Sequence, residues 1–280
     1  MVTVPIQPKM ALGDVRSRVA ELGSVLGVWA HPDDETYLSG GLMRCALESG
    51  QRVTCVNATS GERGTGDPEA WPPDRLASVR RAELAESGCV LAKGLAVAID
   101  HRWLDHPDGR CHELPADVGA EQVGRLIDEI RPDTVLTFDP TGVTGHLDHR
   151  AVSDWVTQAA RERPGVRVLG ATVTDTWVAR LEGLVELGEY FYPGFPQPVP
   201  DRTVAVELVC DDELWAIKDA AIRAHQTQVA AIADHFTHDR WRAFNDVEAF
   251  VDITPNTTDP AAGPPTNTNT TSHDTSNESS

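Results

Sequence analysis

Residues 26–41, LGVWAHPDDETYLSGG, place His31, Asp33, Asp34 and Glu35 within five positions, directly behind a short apolar run. A second cluster, DPTGVTGHLDHR (139–150), carries His146, Asp148 and His149 behind the apolar run DTVLTF. Carboxylates beside an apolar strand are costly to bury without a partner. One use for Asp33, Asp34 and Glu35 is to satisfy the first N–H groups of a helix. Capping needs a single acceptor, however, and does not ask for a histidine beside three acids. Imidazole and carboxylate together are ligands for a divalent cation. Two histidines and one carboxylate with an open fourth position form a common catalytic zinc set.

Such a site needs both clusters at one place, and the surrounding pattern supplies the means. Strand-like segments at 24–30, 52–58, 94–99, 133–138, 166–173 and 202–208 alternate with helix-like segments near 36–49, 74–91, 117–131, 149–162, 175–184 and 211–233. This alternation predicts an α/β fold, a Rossmann-like doubly wound, mostly parallel sheet with helices on both faces. Asp117 is placed to cap the third helix, and Pro132 follows its last turn. With strand order 3-2-1-4-5, strands one and four are neighbours across the switch point, so the two charged loops face one another at the carboxyl edge. Asp133 starts strand four and belongs to the opposite edge. The segment TSGERGTGDPEAWPPD (59–74) is long, polar and glycine-rich, and is expected to be a mobile flap over the substrate. FYPGFPQP (191–198) reads as a loop before a late strand and as a pocket wall.

The chain has 280 residues, 40% of them hydrophobic, enough to fill one large core. We expect an N-terminal extension over 1–20, a single domain over 21–253, and a disordered tail over 254–280 that is rich in Pro, Thr, Asn and Ser. No apolar run is long enough for a membrane span. The first residues lack the apolar core of a signal peptide, so a cytoplasmic location is expected. The formal charge of −19 repels nucleic acid and anionic surfaces. The five scattered cysteines include no CxxC pair, which argues against a thiolate metal cage and for small buried hydrophobes. Of the ten histidines, only His31, His146 and His149 fall on the loops after strands one and four.

The paired motifs AHPDDETYLSGG (30–41) and GHLDH (145–149) resemble the PIG-L, or LmbE-like, deacetylase family. Its members are metal-dependent enzymes that remove acyl groups from N-acetylglucosamine-type conjugates and related amides. The resemblance covers about residues 22–230. It implies that His31, Asp34 and His149 ligate Zn2+, with Fe2+ as an alternative ion. It also implies that Asp33 is the general base, that His146 steadies the tetrahedral intermediate, and that Asp148 is the partner that keeps His146 protonated. Arg80, in SVRRAEL, and Asp105, in RWLDH, match positions that contact the sugar, with Arg81 competing for the role of Arg80. Glu35 is expected to support the helix start or the groups behind the ligands, and AIRAHQTQ (221–228) resembles a further family feature. One departure is VTGH (143–146), where some members carry an aromatic residue in place of Thr144.

The activity implied is hydrolysis of the linear amide of a small amino-sugar conjugate. Mycothiol-conjugate amidase-like chemistry and esterase chemistry are the alternatives. A nucleotide-binding module is a poorer reading, because strand one is not followed by GxGxxG and HPDDE repels phosphate. Oligomeric state is not legible in the sequence.

Overall fold

A computed structural model describes residues 19–181, 190–233 and 236–255. The strands are β1 (Val25–Trp29), β2 (Val53–Thr59), β3 (Asp100–His106), β4 (Thr134–Phe138), β5 (Arg167–Thr172), β6 (Val206–Val209) and β7 (Val247–Asp252). The helices are α1 (Asp34–Glu48), α2 (Pro73–Leu91), α3 (Ala116–Ile130), α4 (Leu147–Arg161), α5 (Asp175–Arg180), α6 (Asp212–Ala224), α7 (Gln226–Ala233) and α8 (His238–Asn245).

One seven-stranded sheet runs in the order β3-β2-β1-β4-β5-β7-β6. Its first five strands are parallel, and β7 is antiparallel to both β5 and β6. The fold is therefore the mostly parallel α/β sheet expected. The central strands VLGVW, VTCVNAT and TVLTF are buried along their whole length, as strands covered on both faces must be. Helices α1 and α2 pack against α6, while α3 packs against α4. The pairing of Val25 with Thr134 and of Leu26 with Val135 aligns β1 and β4. Their carboxyl ends, and the loops that follow them, therefore lie side by side.

Backbone groups of helix α1 are tied to α6 and β7. The Tyr37 carbonyl accepts a hydrogen bond from Lys218 Nζ at 2.8 Å. The Gly41 and Leu42 N–H groups donate to the two oxygens of Glu248 at 2.7 and 2.8 Å. Lys218 and Glu248 pair at 2.6 Å with both side chains wholly buried. Position 41 must be small, because a Cβ there would stand 3.0 Å from Leu208 and 3.2 Å from Glu248.

Several boundaries differ from expectation, each for a physical reason. The apolar run 94–99 is not the third strand. The strand is DHRWLDH, at the sheet edge, where partial exposure removes the need for an apolar sequence, and Val97 is 38% exposed. The late strand is the short edge strand β6, preceded by a 3₁₀ turn at Asp201–Thr203. The helix expected over 211–233 breaks at His225, and α8 and β7 were not anticipated. Asp117 lies in the first turn of α3, which begins at Ala116 after Pro115, so it is not the cap. Asp133 does sit at the opposite edge, where it accepts hydrogen bonds from the Ser24 backbone N–H and hydroxyl. Residues 1–18, most of the expected tail (256–280) and the end of the helix expected over 175–184 lie outside the described residues. Among the described residues no helix is long and apolar enough to cross a membrane.

Candidate metal centre

The HPDD turn is built to hold its side chains still. Asp33 has φ of 121°, a left-handed conformation that costs a non-glycine residue about 1–3 kcal/mol. Its N–H donates to Glu35 Oε2 at 3.2 Å, and its carbonyl accepts from Thr36 and Tyr37 at 2.9 and 3.0 Å. The His31 N–H donates to Asp34 Oδ2 at 2.7 Å, which orients the Asp34 carboxylate. Behind them, Glu35 also accepts from Asn57 and from the Thr36 hydroxyl, which lies 3.1 Å from His225 Nε2. His225, the residue at which the late helix breaks, thus buttresses the turn from beneath.

The opposing loop is fixed in the same manner. Asp139 accepts from Thr141 and from the Thr172 hydroxyl on β5. Gly145 has φ of +83° and lies against the Phe195 ring, so the 191–198 segment braces this turn. His146 caps α4, its Nδ1 accepting the Asp148 N–H at 3.1 Å. His149 lies in the first turn, its ring stacked on Phe138 at 4.1 Å.

Three side chains converge between the loops. His31 Nδ1 lies 3.2 Å from His149 Nε2 and 3.4 Å from Asp34 Oδ2, and His149 Nε2 lies 3.3 Å from Asp34 Oδ1. A tetrahedral ion with bonds of about 2.0–2.1 Å has ligand–ligand edges of roughly 3.3–3.4 Å. The spacings match those edges, with His31 facing Asp34 Oδ2 and His149 facing Asp34 Oδ1. The outward atoms of both rings support the same arrangement. His149 Nδ1 is 3.0 Å from the Gly142 carbonyl, so its N–H donates there and leaves the Nε2 lone pair free. His31 Nε2 stands 3.2 Å from Asp108 and 3.6 Å from Asp148, the carboxylate backing typical of a metal-ligating histidine. Two other groupings share His31, one with His146 and His149 and one with Asp108 and Asp148. In the first, His146 Nδ1 is occupied by a backbone donor. In the second, the acids lie behind the ring.

Carboxylates dominate the electrostatics around His31. Burial pushes the His31 pKa down, but Asp108, Asp148 and Asp34 outweigh it and hold the ring's pKa well above the usual histidine range. Burial likewise works to raise Asp34, yet His149 and His31 hold it far below the carboxylate range. Burial pushes His149 down to about 4, so its ring is neutral and fit to ligate. Asp33 is pushed up to about 6 by burial, against the pull of Arg80. A carboxylate so placed exchanges a proton near neutral pH, as a general base must.

Two expected site residues have different surroundings. Asp148 meets His146 through its backbone N–H, and its charge works to raise the His146 pKa. Its carboxylate accepts from the Gly109 and Cys111 N–H groups at 2.7 and 3.0 Å and faces His31, while burial and then His31 lower the His146 pKa. With Nδ1 accepting the Asp148 N–H, a neutral His146 ring carries its proton on Nε2. Asp105 is 66% exposed in its side chain and pairs with Arg81, away from the centre. The carboxylate that the β3 edge sends to the site is Asp108, which sequence reasoning missed because the strand was placed six residues too early. Arg80 is buried, donates to the Pro32 and Gly61 carbonyls at 2.6 and 2.9 Å, and lies 3.2 Å from Asp33. The same contacts, with those of Arg63 to Asp108 and Gln228 to Gly64, anchor residues 61–64 at the start of the expected flap. Arg81 runs outward to Ser60 and over the Trp103 ring. Tyr192, in the 191–198 segment read as a pocket wall, is 49% exposed and packs edge-on against His146 at 5.6 Å.

Residues 26–160 match PIG-L, described as GlcNAc-PI de-N-acetylase. The 1D-myo-inositol 2-acetamido-2-deoxy-alpha-D-glucopyranoside deacetylase of Saccharomonospora viridis is 34% identical over 243 residues, covering 76% of this chain and 87% of the relative. The chain belongs to the PIG-L family. A relative of the same name from Corynebacterium efficiens is 31% identical over 261 residues, covering 86% and 80% of the two chains. N,N'-diacetylchitobiose deacetylase from Pyrococcus horikoshii shares the fold with a TM-score of 0.58 at 21% identity, over 87% of each chain. The zinc-inhibited form of teicoplanin deacetylase Orf2 does so with a TM-score of 0.56 at 19% identity, over 82% of this chain and 98% of that one. The PIG-L match begins in β1 and ends in α4, so it contains both charged loops.

Proposed function

We propose that this protein is a zinc-dependent amide hydrolase that removes the acyl group from an N-acylated glucosamine-type conjugate. The observation that carries the reading is the convergence of His31, Asp34 and His149, whose nitrogen and carboxylate atoms lie 3.2–3.4 Å apart, spacings that suit ligands of one tetrahedral ion. The deacetylase names of the relatives support an N-acylated amino sugar as the substrate class. His31, Asp34 and His149 would hold the ion. When bound, it supplies Lewis acidity and lowers the pKa of water toward ~7.

Hydrolysis of the amide adds water across the C–N bond, giving a carboxylate and an amine. Asp33 takes the proton from the attacking water, and its proximity to neutral pKa lets it give that proton up to the leaving nitrogen. His146 directs its Nε2–H at the oxygen on which charge develops, a contact worth about 3 kcal/mol in other hydrolases. Arg80 fixes Asp33 through the Pro32 carbonyl and the carboxylate itself. Asp108 and Asp148 set the tautomer of His31. Asp33→Asn tests the assignment. It should lower kcat by three orders of magnitude or more while metal content stays at the wild-type level; a variant that keeps a tenth of the activity refutes Asp33 as the base.

A further inference from the structure

A cavity of about 240 Å³ opens onto Asp33, Asp34 and His149 and runs between β5, β7 and the late helices. Its wall includes Tyr37, Val173, Trp177, Phe191, Phe244 and Ala249. We propose that this cavity seats the acyl half of the substrate, and that the preferred acyl group is a chain of several carbons or an arylacyl group, larger than acetyl. This rests on the reading of the site as an N-deacylase and names the acyl class that it takes.

Size is the first argument. An engineered apolar cavity of about 150 Å³ holds benzene, so an acetyl methyl would leave most of this one empty. Chemistry is the second, because the polar side chains that β5, α8 and β7 bring to the wall already have partners. The Thr172 hydroxyl donates to Asp139 at 2.6 Å, and the Thr174 hydroxyl accepts from the Trp177 N–H at 3.1 Å. Asn245 donates to the Trp241 carbonyl at 3.0 Å, and Glu248 is held by Gly41, Leu42 and Lys218. A sugar placed here would bury hydroxyls without partners, at roughly 1–3 kcal/mol each. The Tyr37 hydroxyl is buried and has no partner among the described residues, which leaves one donor for a polar atom of the ligand. Rigidity is the third argument. Trp177 packs against Phe191 and Phe244 at centroid distances of 6.3 and 5.3 Å, so the wall is formed in advance. The amine half then stays at the mouth, where His146 and Tyr192 lie outside the cavity wall and Tyr192 is half exposed.

The test compares glucosamine conjugates carrying acetyl, butanoyl, hexanoyl, octanoyl and phenylacetyl groups, assayed by amine release with the metal-loaded protein. Each methylene buried is worth about fourfold, from ~0.8 kcal/mol. kcat/KM should therefore rise at least tenfold from acetyl to hexanoyl. Ala249→Leu and Val173→Phe narrow the cavity, and each should cut the hexanoyl-to-acetyl ratio at least fivefold, in protein shown to be folded by its melting transition. Calorimetric titration of the chelated protein gives a readout without turnover: octanoate should bind at least tenfold more tightly than butanoate, and Ala249→Leu should remove the difference. Hydrolysis of the acetyl compound with no gain along the series, or a gain only when the apolar group is moved to the amine half, overturns the inference and leaves the proposed function standing. No hydrolysis of any member overturns the proposed function itself, and this inference with it.

Discussion

Lys218→Met removes the ammonium group that faces Glu248 at 2.6 Å in a wholly buried pair. The glutamate keeps its bonds from Gly41 and Leu42, but its charge is left without a counterion, and the Tyr37 carbonyl loses the donor it has at 2.8 Å. Removing one member of a buried pair costs about 3–5 kcal/mol. Met fills most of the volume of the lysine stem, so the loss is electrostatic and not a cavity effect. For a domain of this size each kcal/mol moves the midpoint by about 2–4 °C, so the variant should melt roughly 6–20 °C lower. Adding Glu248→Gln discharges the glutamate and keeps an acceptor for one of the two N–H groups. The double variant should regain at least half of the lost stability. Urea unfolding of the wild type, both single variants and the double variant, all under chelation so that metal affinity does not enter, measures the coupling. A loss below 1 kcal/mol in the single variant, or a double variant no more stable than Lys218→Met, refutes the account of how α1 is held.

Three further outcomes follow from the same contacts. Chelation should lower the melting point by about 5–11 °C relative to protein in divalent ion at a hundredfold excess over its dissociation constant, because such binding is worth about 2.7 kcal/mol; equal melting points would argue against a ligand set between β1 and β4. Arg80→Lys replaces a fork that reaches Pro32 and Gly61 with a single ammonium, and is expected to cost about 1.5–3 kcal/mol in urea unfolding. The bonds from Ser24, backbone first, hold Asp133 below the usual carboxylate range, so its contribution is complete above pH ~4 and is lost as pH falls through its folded value. Asp133→Ser should thus be less stable than wild type at pH 7, with the gap closing in acid; a gap that widens in acid would contradict this.

The central sheet was legible because β1, β2 and β4 are buried on both faces and must be written as apolar runs. The charged loops were legible because nothing in core packing asks for HPDDE or HLDH. What escaped notice did so for identifiable reasons. Strand β3 is an edge strand of largely polar sequence, with Asp100 and Asp105 exposed, and misplacing it concealed Asp108 at its carboxyl end. His225 looked like one residue of a long helix, yet its break and its buried position against Thr36 and Glu35 depend on tertiary packing. The protonation of His146 depends on which atom of Asp148 reaches it. The backbone N–H does, and spacing alone does not tell that from the carboxylate. The aromatic wall draws on Phe191, within the segment read as a pocket wall, and on Tyr37, Trp177 and Phe244, which are far apart in the chain and share no local pattern.

Metal analysis of purified protein and of three variants tests the ligand triangle most directly. After dialysis against trace zinc, wild-type protein should hold one ion per chain, Asp34→Ala and His149→Ala should hold less than a tenth of that, and His146→Ala should hold the full amount. Wild-type protein that takes up no divalent ion, or a His146→Ala variant that loses it as completely as His149→Ala, would contradict the assignment of His31, Asp34 and His149.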